Sequence, residues 1–255
     1  MTPQVPEYLA TFETALRPLV AAFGLGLIWM GAARMEGSAQ SRYGTAGALS
    51  VVLIAWLAIA QYFGSANAYF ATGEDAVPTV LFGLLIPLTV AFMGVRLSGR
   101  IASLVSAIPL PWIVAAQVYR VGGGIFLVLW ADGRLPWQFA LPAGIGDVAT
   151  GCLAVVVAVL LAQKSPRALK AAYGWCLFGI ADLVVALMMG GMTSPGRIHV
   201  LALDAPNLLI SSYPLVMVPT FAVPLALMLH SLVLWRLRRE IGSTNQLGHS
   251  VMPIV

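Results

Sequence analysis

Apolar residues run through this chain in long unbroken stretches joined by short polar segments. The stretches lie near residues 15–33, 45–64, 78–95, 108–131, 139–162, 171–192 and 213–235. Each is about 20 residues, which a helix rising about 1.5 Å per residue converts to roughly 30 Å, the thickness of a bilayer's hydrocarbon core. Apolar positions do not alternate with polar ones inside them, so the pattern predicts transmembrane helices rather than the strands of a barrel. The expected fold is all-α: a polytopic bundle of seven transmembrane helices in one domain over residues 1–255. Glu7 and Glu13 precede the first run without a basic n-region or a cleavage site, so that run is expected to be retained as a span.

Composition agrees with this reading. The hydrophobic set makes up 60% of the chain and charged residues only 9%, against roughly a quarter charged in an ordinary soluble domain. A freely soluble or disordered protein is excluded. Cys152 and Cys176 both fall inside apolar stretches without a C-x-x-C spacing, which is how small buried hydrophobes occur.

The basic residues predict an orientation. Arg34, Arg42, Arg96, Arg100, Lys164, Arg167, Lys170, Arg236, Arg238 and Arg239 fall on one side, and Arg17, Arg134 and Arg197 on the other. This asymmetry places the N-terminus outside and the C-terminus in the cytoplasm. The outer loop with Glu74 and Asp75 fits, and Tyr69, Phe70, Trp130, Trp137 and Tyr213, with Trp235 at the inner boundary, read as interfacial anchors. The net charge of +4 thus reflects insertion topology, and no nucleic-acid partner is expected. The lipid bilayer is the expected surrounding, in a bacterial cytoplasmic membrane.

Three charges remain inside spans, where each costs at least about 2.5–3.5 kcal/mol at a helix centre. Arg120 in the fourth span lies roughly 18 Å from Asp132, Asp147 in the fifth roughly 15 Å from Trp137, and Asp182 in the sixth roughly 16 Å from Thr193. All three depths meet at the midplane on consecutive antiparallel helices. Each also falls on a stripe of small or polar residues at i, i+3, i+7: Gln117, Arg120, Gly124; Gly144, Asp147, Gly151; Gly179, Asp182, Ala186. One arginine and two aspartates sum to −1, a surplus that favours one carboxyl holding a proton or waiting for a cation. The same three residues would equally serve as an internal strut. Gln117 is expected to donate hydrogen bonds nearby. His230 in the last span lies roughly 9 Å from the inner face by counting from Arg236, below the cluster; it is a helix–helix contact or a proton relay. Pro214, Pro219 and Pro224 predict a kink in that span. The outer segment from Gly191 to Ser212, with Arg197, His199, Asp204 and Asn207, is expected to lie on the surface.

Seven spans with a midplane Arg/Asp cluster look like a microbial rhodopsin, but retinal attachment needs a lysine in the last span, and Lys164 and Lys170 lie in a loop. One intramembrane histidine does not make a bis-histidine haem site, and there is no H-E-x-x-H or other metal-ligand cluster. No cofactor is expected. Gly144-Ile145-Gly146-Asp147 resembles the G-x-G-D motif of intramembrane aspartyl proteases, which would make Asp182 the second acid of a dyad. Against that family, the aspartates come in reversed order, the Tyr-Asp pair is absent, and Arg120 sits at the same depth. The stretches Gln117-Val118-Tyr119-Arg120-Val121-Gly122 and Leu141-Pro142-Ala143-Gly144-Ile145-Gly146-Asp147, with the final span from Tyr213-Pro214 to His230, resemble an uncharacterised family of bacterial seven-helix membrane proteins. That resemblance implies the topology and no activity. The leading expectation is a protein that binds or moves a small solute or proton at Arg120, Asp147, Asp182 and Gln117. A sensor or assembly subunit with a structural cluster and a protease-like enzyme are the alternatives.

Overall fold

The computed structural model describes residues 4–70 and 78–249, with side chains as far as residue 239. Glu74 and Asp75 lie outside the described residues. In chain order come α1 (Glu7–Arg34), α2 (Ala39–Ser65), α3 (Val80–Leu97), α4 (Gly99–Ala107) and α5 (Leu110–Ala116). A 3-10 segment, Gln117–Gly124, leads into α6 (Ile125–Ala131), followed by α7 (Trp137–Ala162) and α8 (Ala168–Thr193). A π-helical turn, Val218–Ala222, continues directly as α9 (Val223–His249). Among the described residues, seven helical stretches are long and apolar enough to cross a membrane, the fourth being α5 to α6 taken together and the seventh Val218–Arg239. The expected all-α architecture and its seven spans are therefore present, and they fit a multi-pass membrane protein.

Sequence signals at the helix ends explain several boundaries. Ser38 and Ser98 start α2 and α4, their hydroxyls accepting from the backbone N–H of Ser41 and Ile101, as N-caps do. Arg42 donates to the carbonyls of Ala32 and Ala33 at the end of α1. Arg236 donates to the carbonyls of Ser106, in the last turn of α4, and of Ile108, which caps it. Both arginines lie on the basic face of the bundle and satisfy carbonyls that a helix end leaves open.

Three boundaries differ from the sequence pattern. α1 begins eight residues before the apolar run at 15, because Leu9, Glu13, Leu16 and Val20 continue one inward stripe past the point where hydropathy falls. The seventh span begins as helix at Val218 rather than near 213. Its prolines produce the π-helical turn: Pro224 has no N–H for the Thr220 carbonyl, and Trp56 Nε1 donates to that oxygen at 3.1 Å instead. The segment after α8 is only partly on the surface. Ile198, Val200 and Leu203 are exposed, but Asn207 is fully buried, accepting from Ile210 N–H through Oδ1.

Burial is greatest in the fourth and seventh spans and least in α3. α7 lies between the 3-10 segment and α8, and small residues permit the approach: a methyl group at Gly151 would come 2.7 Å from the backbone nitrogen of Val121. α3, by contrast, buries only Leu84 and turns Leu85, Ile86, Val90 and Phe92 outward, as a lipid-facing helix would.

Candidate functional site

The 3-10 segment carries Arg120 into the bundle. A 3-10 run of eight residues is long for that conformation, and with three residues per turn it stacks Gln117, Arg120 and Gly123 on one edge. The stripe expected from α-helical spacing therefore shifts by one: Gly123, not Gly124, lies against the Asp147 carboxyl. On α7 and α8 the regular spacing holds, and both aspartates reach the arginine.

Arg120 is 3% exposed and makes as many polar contacts as a guanidinium has N–H bonds. Nε donates to Asp147 Oδ1 at 2.7 Å, and Nη2 lies 2.6 Å from the same oxygen. Nη2 also bonds Asp182 Oδ2. Nη1 donates to the Gly179 carbonyl at 3.3 Å and lies 3.2 Å from His230 Nε2. The sequence thus places Arg120, Asp147 and Asp182 together as the structure does. The guanidinium fills the space between the carboxylates, where an aspartyl dyad would have to share a proton, so the geometry goes against the protease-like alternative.

His230 belongs to this cluster, which corrects the depth read from Arg236. That count takes Arg236 as a marker of the membrane boundary, whereas its side chain is turned in to hold the Ser106 and Ile108 carbonyls. The tautomer follows from chemistry. Arginine only donates, so His230 Nε2 accepts, and the proton sits on Nδ1, which faces Cys176 Sγ at 3.4 Å. A second proton on Nε2 would set N–H against N–H, so the ring is held as an acceptor for the arginine, and Trp175 packs on it with centroids 4.7 Å apart. Close backbone approach makes room for all this: a methyl group at Gly179 would overlap the His230 ring, and one at Gly146 would overlap Asp182 Oδ1.

Gln117 is buried but turns away from the aspartates, its Nε2 donating to the Ala226 carbonyl at 3.1 Å. Tyr119 does the same for Ala222 at 3.0 Å. Both side chains tie the 3-10 segment to the seventh span, Tyr119 at the end of its π-helical turn and Gln117 in the first turn of α9.

Between those two irregular segments lies a cavity of about 30 Å³, lined by Leu16, Tyr119, Arg120, Phe126, Asp147 and Ala222 among others. A single water needs roughly 10–15 Å³ on this measure, so the space suits one or two waters. The two aspartates differ here. Asp147 is on the cavity wall with its side chain 15% exposed, whereas that of Asp182 is 6% exposed and is not among the lining residues. Both guanidinium contacts to Asp147 fall on Oδ1; Oδ2, beside Gly123, takes neither.

One buried carboxyl escaped the sequence reading. Glu13 is 1% exposed, and its Oε1 has no hydrogen-bond partner. The signal was present in the periodicity, since Leu9, Glu13, Leu16, Val20 and Gly24 recur at helical spacing.

Seven apolar helices enclosing a charged centre define a multi-pass α-helical membrane protein. Within that class, residues 77–238 match the family model described as a domain of unknown function (DUF8737), well over half of the chain, and the protein belongs to that family. The matched segment holds Arg120, Asp147, Asp182 and His230, while α1 and α2 fall outside it. No curated protein and no solved structure matches the chain.

Proposed function

We propose that the protein binds and moves protons through the polar centre at Arg120, Asp147 and Asp182, in a bacterial cytoplasmic membrane with its N-terminus outside. The observation that carries this reading is the position of Asp147: it is paired with the guanidinium through one oxygen and borders the cavity with its side chain. With both aspartates ionised the centre holds a charge of −1; a proton delivered by cavity water to Asp147 makes it neutral, and release restores it. The size of the cavity favours a proton over an organic solute, since sites for such ligands run to roughly 300–1,000 Å³.

The test is proton flux into liposomes carrying the purified protein, driven by a potassium diffusion potential and read with an entrapped pH dye. Wild type is expected to exceed protein-free liposomes, and Asp147→Asn to lower the flux at least tenfold while remaining monodisperse. Wild-type flux at the protein-free level, or full flux in Asp147→Asn, overturns the reading.

A second reading has its own support. Every N–H of Arg120 faces an acceptor, which is what a strut locking the fourth to seventh spans together would need. A sensor or assembly subunit built on such a strut would give no flux and would still lose stability when Arg120 is replaced.

A further inference from the structure

A proton that reaches Asp147 must arrive through the groups around the cavity it borders. α1 reaches that cavity. Leu16 lines the cavity, and three residues earlier on the same face, about 4.5 Å nearer the start of the helix, lies Glu13. That face of α1 is held against the 3-10 segment: Phe12 and Leu16 both press on Gly122, where a methyl group would come 3.4 and 3.1 Å from them. Around Glu13, Leu9 and Phe12 pack with Ile125, Phe126 and Leu215 in an apolar cluster.

The nearest basic group does not neutralise it. Arg17, one turn along, donates through Nε to the backbone carbonyl of Glu13 at 3.0 Å and through Nη1 to the Tyr213 hydroxyl at 3.0 Å. Tyr213 precedes the π-helical turn, and the cavity that Leu16 lines is also lined by Tyr119 and Arg120 of the 3-10 segment and Asp147 of α7. An unpaired carboxylate costs far more to bury than a carboxylic acid, so Glu13 is best accommodated with a proton on it. A carboxyl that holds a proton one helical turn from a water-sized cavity can pass it on.

We propose that Glu13 is the group through which protons travel between the N-terminal face and Asp147. This rests on the proton-moving reading. It also gives α1 a part in the function although that helix lies outside the family-matched segment.

The full chain is compared in the same liposome assay as wild type, Asp147→Asn, Glu13→Gln and Glu13→Asp. The expected pattern is at least a tenfold loss in Glu13→Gln with partial recovery in Glu13→Asp, which keeps an ionisable group. Wild-type flux in Glu13→Gln, alongside loss in Asp147→Asn, overturns the role of Glu13 and leaves the proton-moving reading standing. Wild-type flux no higher than in protein-free liposomes overturns both. Should the Glu13 variants fail to reconstitute, wild type decides: dicyclohexylcarbodiimide, which attacks protonated carboxyls in apolar surroundings, is expected to label Glu13 by peptide mass spectrometry and to stop the flux. Flux that continues with Glu13 labelled, or a Glu13 that stays unlabelled, overturns the proposal.

Discussion

Replacing Arg120 by glutamine should expose how unequally the two aspartates depend on it. Removing one partner of a buried ion pair leaves a charge stranded and typically costs about 3–5 kcal/mol. Here one substitution strands two carboxylates, so Arg120→Gln is expected to lose at least that much. The structure then orders the rescues. Asp182 is the drier of the two, its side chain 6% exposed against 15% for Asp147, and Asp147 alone borders the cavity. A stranded Asp147 can draw on cavity water, whereas a stranded Asp182 has none within that space. Adding Asp182→Asn to Arg120→Gln should therefore return about 1–3 kcal/mol, within the range of coupling energies for residues in one network. Adding Asp147→Asn should return less than half as much. The assay is unfolding by sodium dodecyl sulfate titrated into mixed micelles, followed by circular dichroism for the three variants and wild type. An Arg120→Gln loss below about 1 kcal/mol, or a larger rescue by Asp147→Asn than by Asp182→Asn, would refute the reasoning.

Two other outcomes follow from the geometry. Gly179→Ala and Gly146→Ala, which drive a methyl group into the His230 ring and into Asp182, should each lower stability by about 1–3 kcal/mol as overpacking does, while Gly174→Ala on the same helix as Gly179 meets open space and should be neutral; equal effects at 174 and 179 would contradict the packing described. A fluorescent protein fused to the C-terminus in bacterial cells should be cytoplasmic and bright, as the distribution of basic residues requires, and a periplasmic, dark fusion would reverse the orientation.

The spans were legible because hydrocarbon thickness imposes a length on every one of them, and apolar runs of that length have few other uses. The meeting of Arg120, Asp147 and Asp182 was legible for a related reason: short connections force consecutive helices side by side, so equal depth implies contact. What hydropathy misses is a polar residue that another helix buries. Glu13 reads as a pre-membrane charge by composition and as a core position by periodicity, and the second reading is the one that tertiary packing selects. His230 was misplaced because its depth was measured from Arg236, an arginine whose side chain turns in to hold the carbonyls at the end of α4.

The 3-10 segment was the least accessible feature, and it connects the rest. Nothing in Gln117–Gly124 demands three residues per turn; three consecutive glycines from 122 to 124 merely make the chain easy to draw into it. The selection comes from across the bundle. Gln117 and Tyr119 donate to the Ala226 and Ala222 carbonyls of the seventh span, just after its π-helical turn and at the end of it. The carbonyl that Pro224 leaves open, that of Thr220, is met by Trp56 of α2; the two bonds from the 3-10 segment instead dock the fourth span onto the last, and the cavity lies between the two irregular segments. The position of Arg120 among its acceptors therefore depends on that docking as well as on the glycines that let the fourth span rewind.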